Sequence, residues 1–284
     1  MMTFNSYRHT AQELEQRIAQ IIEKQSVNLN KNEALKTIFG VVDLTTLEAT
    51  DNPTKIRAFC EKAMSYTKTR NDLSVAAICI YSPFLKQAKQ LLSSTPIGLA
   101  TVACAFPTGQ LPFDLKIKEV AYCVAQGADE IDMVISRGTF LDGHYDEVFE
   151  EIKEVKKTCG KAHLKVILET GELGTVENIR KASEIAILGG ADFIKTSTGK
   201  TLPAATPLAA LIMIDTIKEY YQKTGIKIGF KPAGGISEPE TALVYYMLIK
   251  EILGETWLNK KLFRIGASRL ADKVFALLTE AQKQ

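Results

Sequence analysis

His163-Leu-Lys-Val-Ile-Leu-Glu169, an amphipathic stretch closing at Gly190, and then Asp192-Phe-Ile-Lys-Thr-Ser197 form the segment whose reading decides the fold. Both ends are short, β-rich apolar runs. The residues between them are numerous enough to form a helix that returns the chain across a sheet, so the two strands should lie parallel. The same unit recurs outward in both directions. Strand-like runs at 38–44, 75–81, 97–105, 130–135, 227–231 and 262–266 bring the count to eight, each followed by a helical segment. Pro53, Pro83 and Pro207 stand at first helical positions behind Asn52, Ser82 and Thr206. Ser237 with Glu240, and Thr10 with Glu13, have capping-box spacing. Gly127, Gly160, Gly190, Gly225 and Gly254 close helices. Eight such units predict an α/β fold, a closed (β/α)8 TIM barrel, with an open doubly wound sheet as the competing arrangement. No Pro/Gly/Ser-rich linker or shift of composition divides the chain. The expected organisation is therefore one domain over 1–284, with residues 1–35 as a helical N-terminal addition.

Parallel strands buried on both faces should be continuously apolar, yet several of these are interrupted by charge. Alternation places Phe193 and Lys195 on one face, opposite Ile194, and Gly229 and Lys231 together, opposite Ile228 and Phe230. Asp132 opposes Ile131 and Met133, Lys165 shares a face with Ile167 and Glu169, and Asp43 lies opposite Val42 and Leu44. With the bulky apolar set packed on the helices, these charges point into the barrel. Most fall at the C-terminal ends of their strands, where barrel enzymes place their chemistry, and Lys165 lies deeper. A structural pair such as Asp132 with Lys231 is the plain alternative. Buried pairs add little net stability, however, and three lysines with three carboxylates on five strands exceed what packing needs.

A lysine with its usual pKa of about 10.4 is almost wholly protonated at pH 7 and is a poor nucleophile. Burial, or a second ammonium close by, favours the neutral amine. Lys195 and Lys231 stand on the sixth and seventh strands, so one can be the nucleophile while the other stays charged and tunes it. A neutral amine facing a carbonyl forms an iminium, an electron sink beside which a carbon–carbon bond can break, and Asp132 is the best-placed carboxylate for proton transfer. Glycine segments Pro232-Ala-Gly-Gly-Ile236 and Gly266-Ala-Ser268 follow the seventh and eighth strands, where barrels bind phosphate. Gly199-Lys200-Thr201 has the tail of a P-loop, but Ile194 occupies the position of its first glycine, which excludes that motif.

Of 284 residues, 35 are basic and 33 acidic, and the net charge of +2 has no basic stripe to suit nucleic acid or a membrane surface. Cys60, Cys79, Cys104, Cys123 and Cys159 form no C-x-x-C pair, and His9, His144 and His163 no metal-ligand spacing. The longest apolar run, 242–249, is too short to span a bilayer, and residues 1–9 lack the apolar core of a signal peptide. A cytoplasmic location with reduced, buried thiols is the expectation. Cys79 lies two residues before Tyr81, at a strand end where it could meet an aldehyde.

These stretches resemble the deoxyribose-phosphate aldolase family. The resemblance is carried by Val42-Asp-Leu-Thr45, Ala76-Ala-Ile-Cys-Ile-Tyr81, Phe106-Pro-Thr-Gly109, Gly127-Ala-Asp-Glu-Ile-Asp132 and Leu164-Lys-Val-Ile-Leu-Glu-Thr-Gly-Glu-Leu173. It continues through Gly190-Ala-Asp-Phe-Ile-Lys-Thr-Ser-Thr-Gly-Lys200, Gly229-Phe-Lys-Pro-Ala-Gly-Gly235 and Phe263-Arg-Ile-Gly-Ala-Ser268, in order from about residue 37 to about residue 270. The resemblance implies a class I aldol reaction without metal or other cofactor. In it, 2-deoxy-D-ribose 5-phosphate is cleaved reversibly to acetaldehyde and D-glyceraldehyde 3-phosphate, in deoxyribose phosphate catabolism. By position, Lys195 resembles the Schiff-base lysine, Asp132 the proton-transfer carboxylate and Lys231 the tuning lysine. Asp43, Lys165 and Thr198 match a supporting polar network, and Gly199, Lys200, Gly234, Gly235, Gly266 and Ser268 match substrate and phosphate contacts. A homodimer or larger homo-oligomer is implied as well.

The chain departs from the family pattern at Ile236-Ser237, where some relatives place Val-Arg or a similar pair, and at Arg269, where a second serine is common. It also ends Glu-Ala-Gln-Lys-Gln284, without the terminal tyrosine of some relatives. Two other functions stay open at this point: a different lyase or isomerase acting on another phosphosugar, and a non-catalytic barrel that binds a phosphorylated ligand.

Overall fold

Thr10 and Glu13 form the capping box that their spacing predicts, each side chain accepting from the other's backbone N–H, and the helix Ala11–Val27 starts there. The computed structural model describes residues 2–281, so the end of the tail without its tyrosine, residues 282–284, lies outside the described residues. A second helix, Lys31–Gly40, follows behind its cap Asn30. The expected first strand at 38–44 is corrected accordingly. Ala34, Leu35, Ile38 and Phe39 are buried at helical spacing, and the strand begins only at Val42.

The eight strands are β1 Val42–Thr45, β2 Ala77–Ile80, β3 Gly98–Ala103, β4 Glu130–Val134, β5 His163–Ile167, β6 Phe193–Lys195, β7 Gly229–Lys231 and β8 Ile265–Ala267. All neighbouring pairs from β1 to β7 run parallel, and β8 pairs parallel with β1. Bridges Phe230↔Phe263 and Ala233↔Gly266 join β7 to β8. The sheet closes into a TIM barrel, and the open doubly wound alternative is excluded.

Outward-facing Val42, Leu44, Ile78, Ile131, Leu164, Val166, Ile194 and Phe230 belong to the main core, packed beneath the helices. Cys79, Ala100 and Val102 form a separate apolar cluster with Leu47. Strand alternation places those three inside the barrel. Pro53 and Pro207 open their helices behind side-chain caps from Asn52 and Thr206. Two expected caps fail. Pro83 opens a 3-10 turn, Ser82–Phe84, with no side-chain cap. Glu238, not Ser237, precedes the helix Pro239–Ile252, and the Ser237 hydroxyl donates instead to the Glu238 carboxylate. No helix among the described residues is long and apolar enough to cross a membrane.

Candidate active site

Register brings the charges together. Lys195 stands beside Lys231, Asp132 beside Lys165, and Lys165 beside Phe193. Asp132 Oδ2 accepts from Lys195 Nζ and from Lys231 Nζ, both at 2.7 Å, while Oδ1 accepts from Lys165 Nζ at 3.0 Å. Lys231 also donates to Asp43 Oδ2 at 2.5 Å. All five residues are buried. Lys165, Asp43 and the Asp132–Lys231 pair thus sit where alternation put them.

Two further charges complete this interior. Glu130 accepts from Lys165, and Arg264 donates to Glu130 at 2.6 and 3.0 Å and to Asp43 Oδ1 at 2.7 Å. Sequence reasoning passed over both. The signal was available, since Glu130 lies two residues before Asp132 and Arg264 two before Gly266, each on the same strand face as its partner. Below them Phe193 packs where Gly229 leaves room, for a Cβ there would meet its ring at 2.3 Å.

Burial opposes every charge here, and the neighbours decide which survive. Lys195 is the lysine whose pKa falls: burial lowers it, Asp132 pulls it back up, and the nearby Lys231 ammonium lowers it again. Burial also opposes the charge of Lys231, but Asp132 and Asp43 outweigh it and raise the pKa. Lys165 is likewise raised against burial by Asp132 and Glu130. For Asp132 burial favours the neutral acid, yet Lys165, Lys195 and Lys231 hold it well below the usual carboxylate range. At neutral pH the arrangement holds an ionised carboxylate, a firmly charged lysine and a lysine inclined to lose its proton.

Above this layer a cleft opens at the C-terminal end of the strands. Lys195 lies at its base, and Thr198, Gly199, Lys200, Gly234, Gly235, Gly266 and Ser268 line it together with Ile236, Ser237 and Arg269. All six expected substrate and phosphate contacts are therefore gathered on one rim. Gly199 and Gly234 have φ of +77° and +88° and pack face to face: a Cβ on Gly234 would lie 2.9 Å from Gly199 Cα and 2.6 Å from Ala204 Cβ. Among the described residues, the backbone N–H groups of Gly234, Gly235 and Ser268 donate to no protein acceptor. They form the kind of concave donor surface that suits an anion. Thr198, matched to a supporting polar network, makes its side-chain bonds outside the lysine–carboxylate cluster. Its hydroxyl and N–H donate to Glu169, which the left-handed backbone at φ +58° turns away from the strand face and which Arg137 also pairs at 3.1 Å. Among the described residues no three of His, Cys, Asp and Glu converge as metal ligands.

Residues 37–248 match the family described as DeoC/LacD family aldolase. Human deoxyribose-phosphate aldolase is 43% identical over 244 residues, covering 82% of this chain and 77% of the human protein. The bovine deoxyribose-phosphate aldolase is 43% identical over 240 residues, covering 81% and 76%. A solved structure described as QR15, an aldolase, superposes with a TM-score of 0.69 at 28% identity, over 87% of this chain and 96% of that one.

Proposed function

The chain belongs to the DeoC/LacD family of aldolases, and from that premise we propose that it cleaves 2-deoxy-D-ribose 5-phosphate reversibly, through a Schiff base on Lys195. The products are acetaldehyde and D-glyceraldehyde 3-phosphate. One observation carries the choice of nucleophile: of the three interior lysines, Lys195 alone lines the cleft, and among the described residues Asp132 is its one carboxylate partner.

The neutral Lys195 amine adds to the C1 aldehyde of the open-chain sugar, and loss of water from the carbinolamine leaves an iminium. The C2–C3 bond then breaks. Its electrons pass into the iminium to give an enamine, the C3 hydroxyl proton leaves, and D-glyceraldehyde 3-phosphate departs. The enamine takes a proton at C2, and water hydrolyses the resulting iminium to acetaldehyde and free Lys195. Asp132, ionised at rest and bonded to the Lys195 nitrogen, acts first as base and then as acid, directly or through water. Lys231 keeps its charge and disfavours a second charge on Lys195. Asp43 and Lys165 hold Lys231 and Asp132 in place. Gly199, Lys200, Gly234, Gly235, Gly266 and Ser268 receive the phosphate, for which free N–H groups and a nearby cation are suited.

We further assign the protein to the cytoplasm, a reading supported by five free, buried cysteines. We also read it as one domain that assembles as a homo-oligomer and engages small phosphosugars and aldehydes rather than nucleic acid or membrane. Borohydride reduction in the presence of acetaldehyde or deoxyribose 5-phosphate, followed by peptide mapping, tests the nucleophile. A reduced adduct on Lys195 is the expected result. An adduct on Lys231 or Lys165 overturns the assignment of roles, and no adduct on folded, saturated protein removes the Schiff-base mechanism.

A further inference from the structure

The buried charges of the barrel interior form a closed ring. Arg264 pairs with Asp43, Asp43 with Lys231, Lys231 with Asp132, Asp132 with Lys165, Lys165 with Glu130, and Glu130 with Arg264 again. Cations and carboxylates alternate, each ring member having a partner on either side, so three positive charges balance three negative ones. Lys195 is outside the ring, attached to it only at Asp132 Oδ2. The remaining groups around it do not alter this balance. The Cys79 thiol of β2 is pushed up to about 11, mainly by burial, and stays neutral at pH 7. Lys200 pairs with Glu48 at the rim, Glu169 pairs with Arg137 behind Thr198, and the facing positions of β3, Ala100 and Val102, are apolar.

We propose that Arg264 is a positioning residue for the aldol reaction: by closing the ring with a charge that cannot dissociate, it saturates the carboxylates and leaves Lys195 as the surplus cation, which sheds its proton. Arginine is suited to this task because its guanidinium remains protonated even when buried, and its fork spans two carboxylates. A lysine at this position could itself deprotonate and relieve the excess. The inference rests on the Schiff-base reading above. It adds that the nucleophile's protonation is set by a residue immediately before β8, two strands round from Lys195, which touches neither Lys195 nor the cleft.

The test is the pH dependence of adduct formation with acetaldehyde under reducing conditions, alongside kcat/KM, for four proteins: wild type, Arg264→Gln, Glu130→Gln and the double variant. Arg264→Gln leaves two ring cations against three carboxylates, so Lys195 is retained as the third cation. The acid limb should move up by about one pH unit or more, roughly a tenfold loss of rate per unit on the acid side. The double variant loses one charge of each sign and restores Lys195 as the surplus, so its limb should return towards the wild-type position. Glu130→Gln alone increases the positive excess and should shift the limb downward. If folded Arg264→Gln keeps the wild-type limb, or the double variant stays with the single one, the role of Arg264 is structural and the proposal is wrong. Should Arg264→Gln fail to fold, Glu130→Gln decides: an unmoved or raised limb overturns the proposal. Wild-type protein that forms no adduct at any pH removes the Schiff-base reading and this inference with it. A wild-type adduct with unmoved variants removes only the inference.

Discussion

Replacing Lys231 by methionine tests the electrostatic core of the mechanism, and the structure sets the size of the effect. Lys195 Nζ and Lys231 Nζ each lie 2.7 Å from the same Asp132 oxygen, so they can be no more than twice that distance apart. Two unit charges about 5 Å apart repel by roughly 3 kcal/mol at an effective dielectric constant of about 20. That corresponds to a little over two pKa units. Lys231→Met also removes a competitor for Asp132, which then binds the Lys195 ammonium more strongly, with the same sign. Because the amine must be neutral to attack, kcat/KM rises with pH through the Lys195 pKa, and raising that pKa moves the acid limb to higher pH. We expect a displacement of about two units, and about a hundredfold loss of kcat/KM at any pH below the wild-type limb. Removing one partner of a buried pair costs about 3–5 kcal/mol of stability, so each profile must be taken on protein shown to be folded by circular dichroism. Lys231→Arg, which preserves the charge, should keep the limb near the wild-type position while altering kcat. A folded Lys231→Met protein with an unshifted limb would refute the idea that the second ammonium sets the nucleophile's protonation.

Lys195→Met should remove both adduct and turnover, yet melt at or above the wild-type temperature, because it replaces a buried amine that the ring does not need for its charge balance and leaves the paired charges intact; scanning calorimetry checks this, and a large fall in Tm would contradict it. Gly234→Ala demands φ +88° from a residue with a side chain and sets its Cβ 2.6 Å from Ala204. A cost of about 1–3 kcal/mol is expected, seen as a raised KM for the phosphorylated sugar with a much smaller change for unphosphorylated deoxyribose. The depressed pKa values of Asp43, Asp132 and Glu130 make acid the vulnerable side. Their contribution to stability is complete above the unfolded values of about 4 and is lost as pH falls through the lower folded ones, so urea midpoints should hold from pH 7 to about 5 and drop below about 4. Burial raises the Cys79 thiol to about 11 and Cys159 to about 12, so iodoacetamide should label neither in folded protein at pH 7; mass spectrometry after acetaldehyde exposure checks whether Cys79 also escapes the substrate.

What could be read from the chain was whatever obeys a local period. Lys195 and Lys231 were placed in the interior by alternation alone, and eight repeats of strand and helix implied closure before any register was known. The first strand was misplaced because Ile38 and Phe39 serve a helix equally well: a short apolar run cannot declare its period, and Leu35 four residues before Phe39 is the helical clue. The Ser237 cap failed for a related reason, since capping-box spacing ignores which residue carries the first helical turn, and Glu238 holds that hydroxyl. The inward position that alternation gave Glu169 was not legible either, because its backbone leaves strand geometry at φ +58°, a turn that no pattern of side chains announces, and it meets Thr198 and Arg137 instead.

Glu130 and Arg264 were missed for a different reason. Their chemistry lies in a circuit, and a circuit has no one-dimensional signature. Arg264 reaches Asp43 across 221 positions of sequence and Glu130 across 134, and only closure of the barrel brings those strands face to face. Taken singly, each pair in the interior is the structural ion pair that desolvation makes nearly worthless for stability. As a ring with one cation left over, the same pairs acquire a use, because an arrangement that cannot be neutral with every lysine protonated favours loss of a proton from the lysine with the fewest partners. The lysine so selected is the one at the base of the cleft, which is where an aldolase needs its free amine.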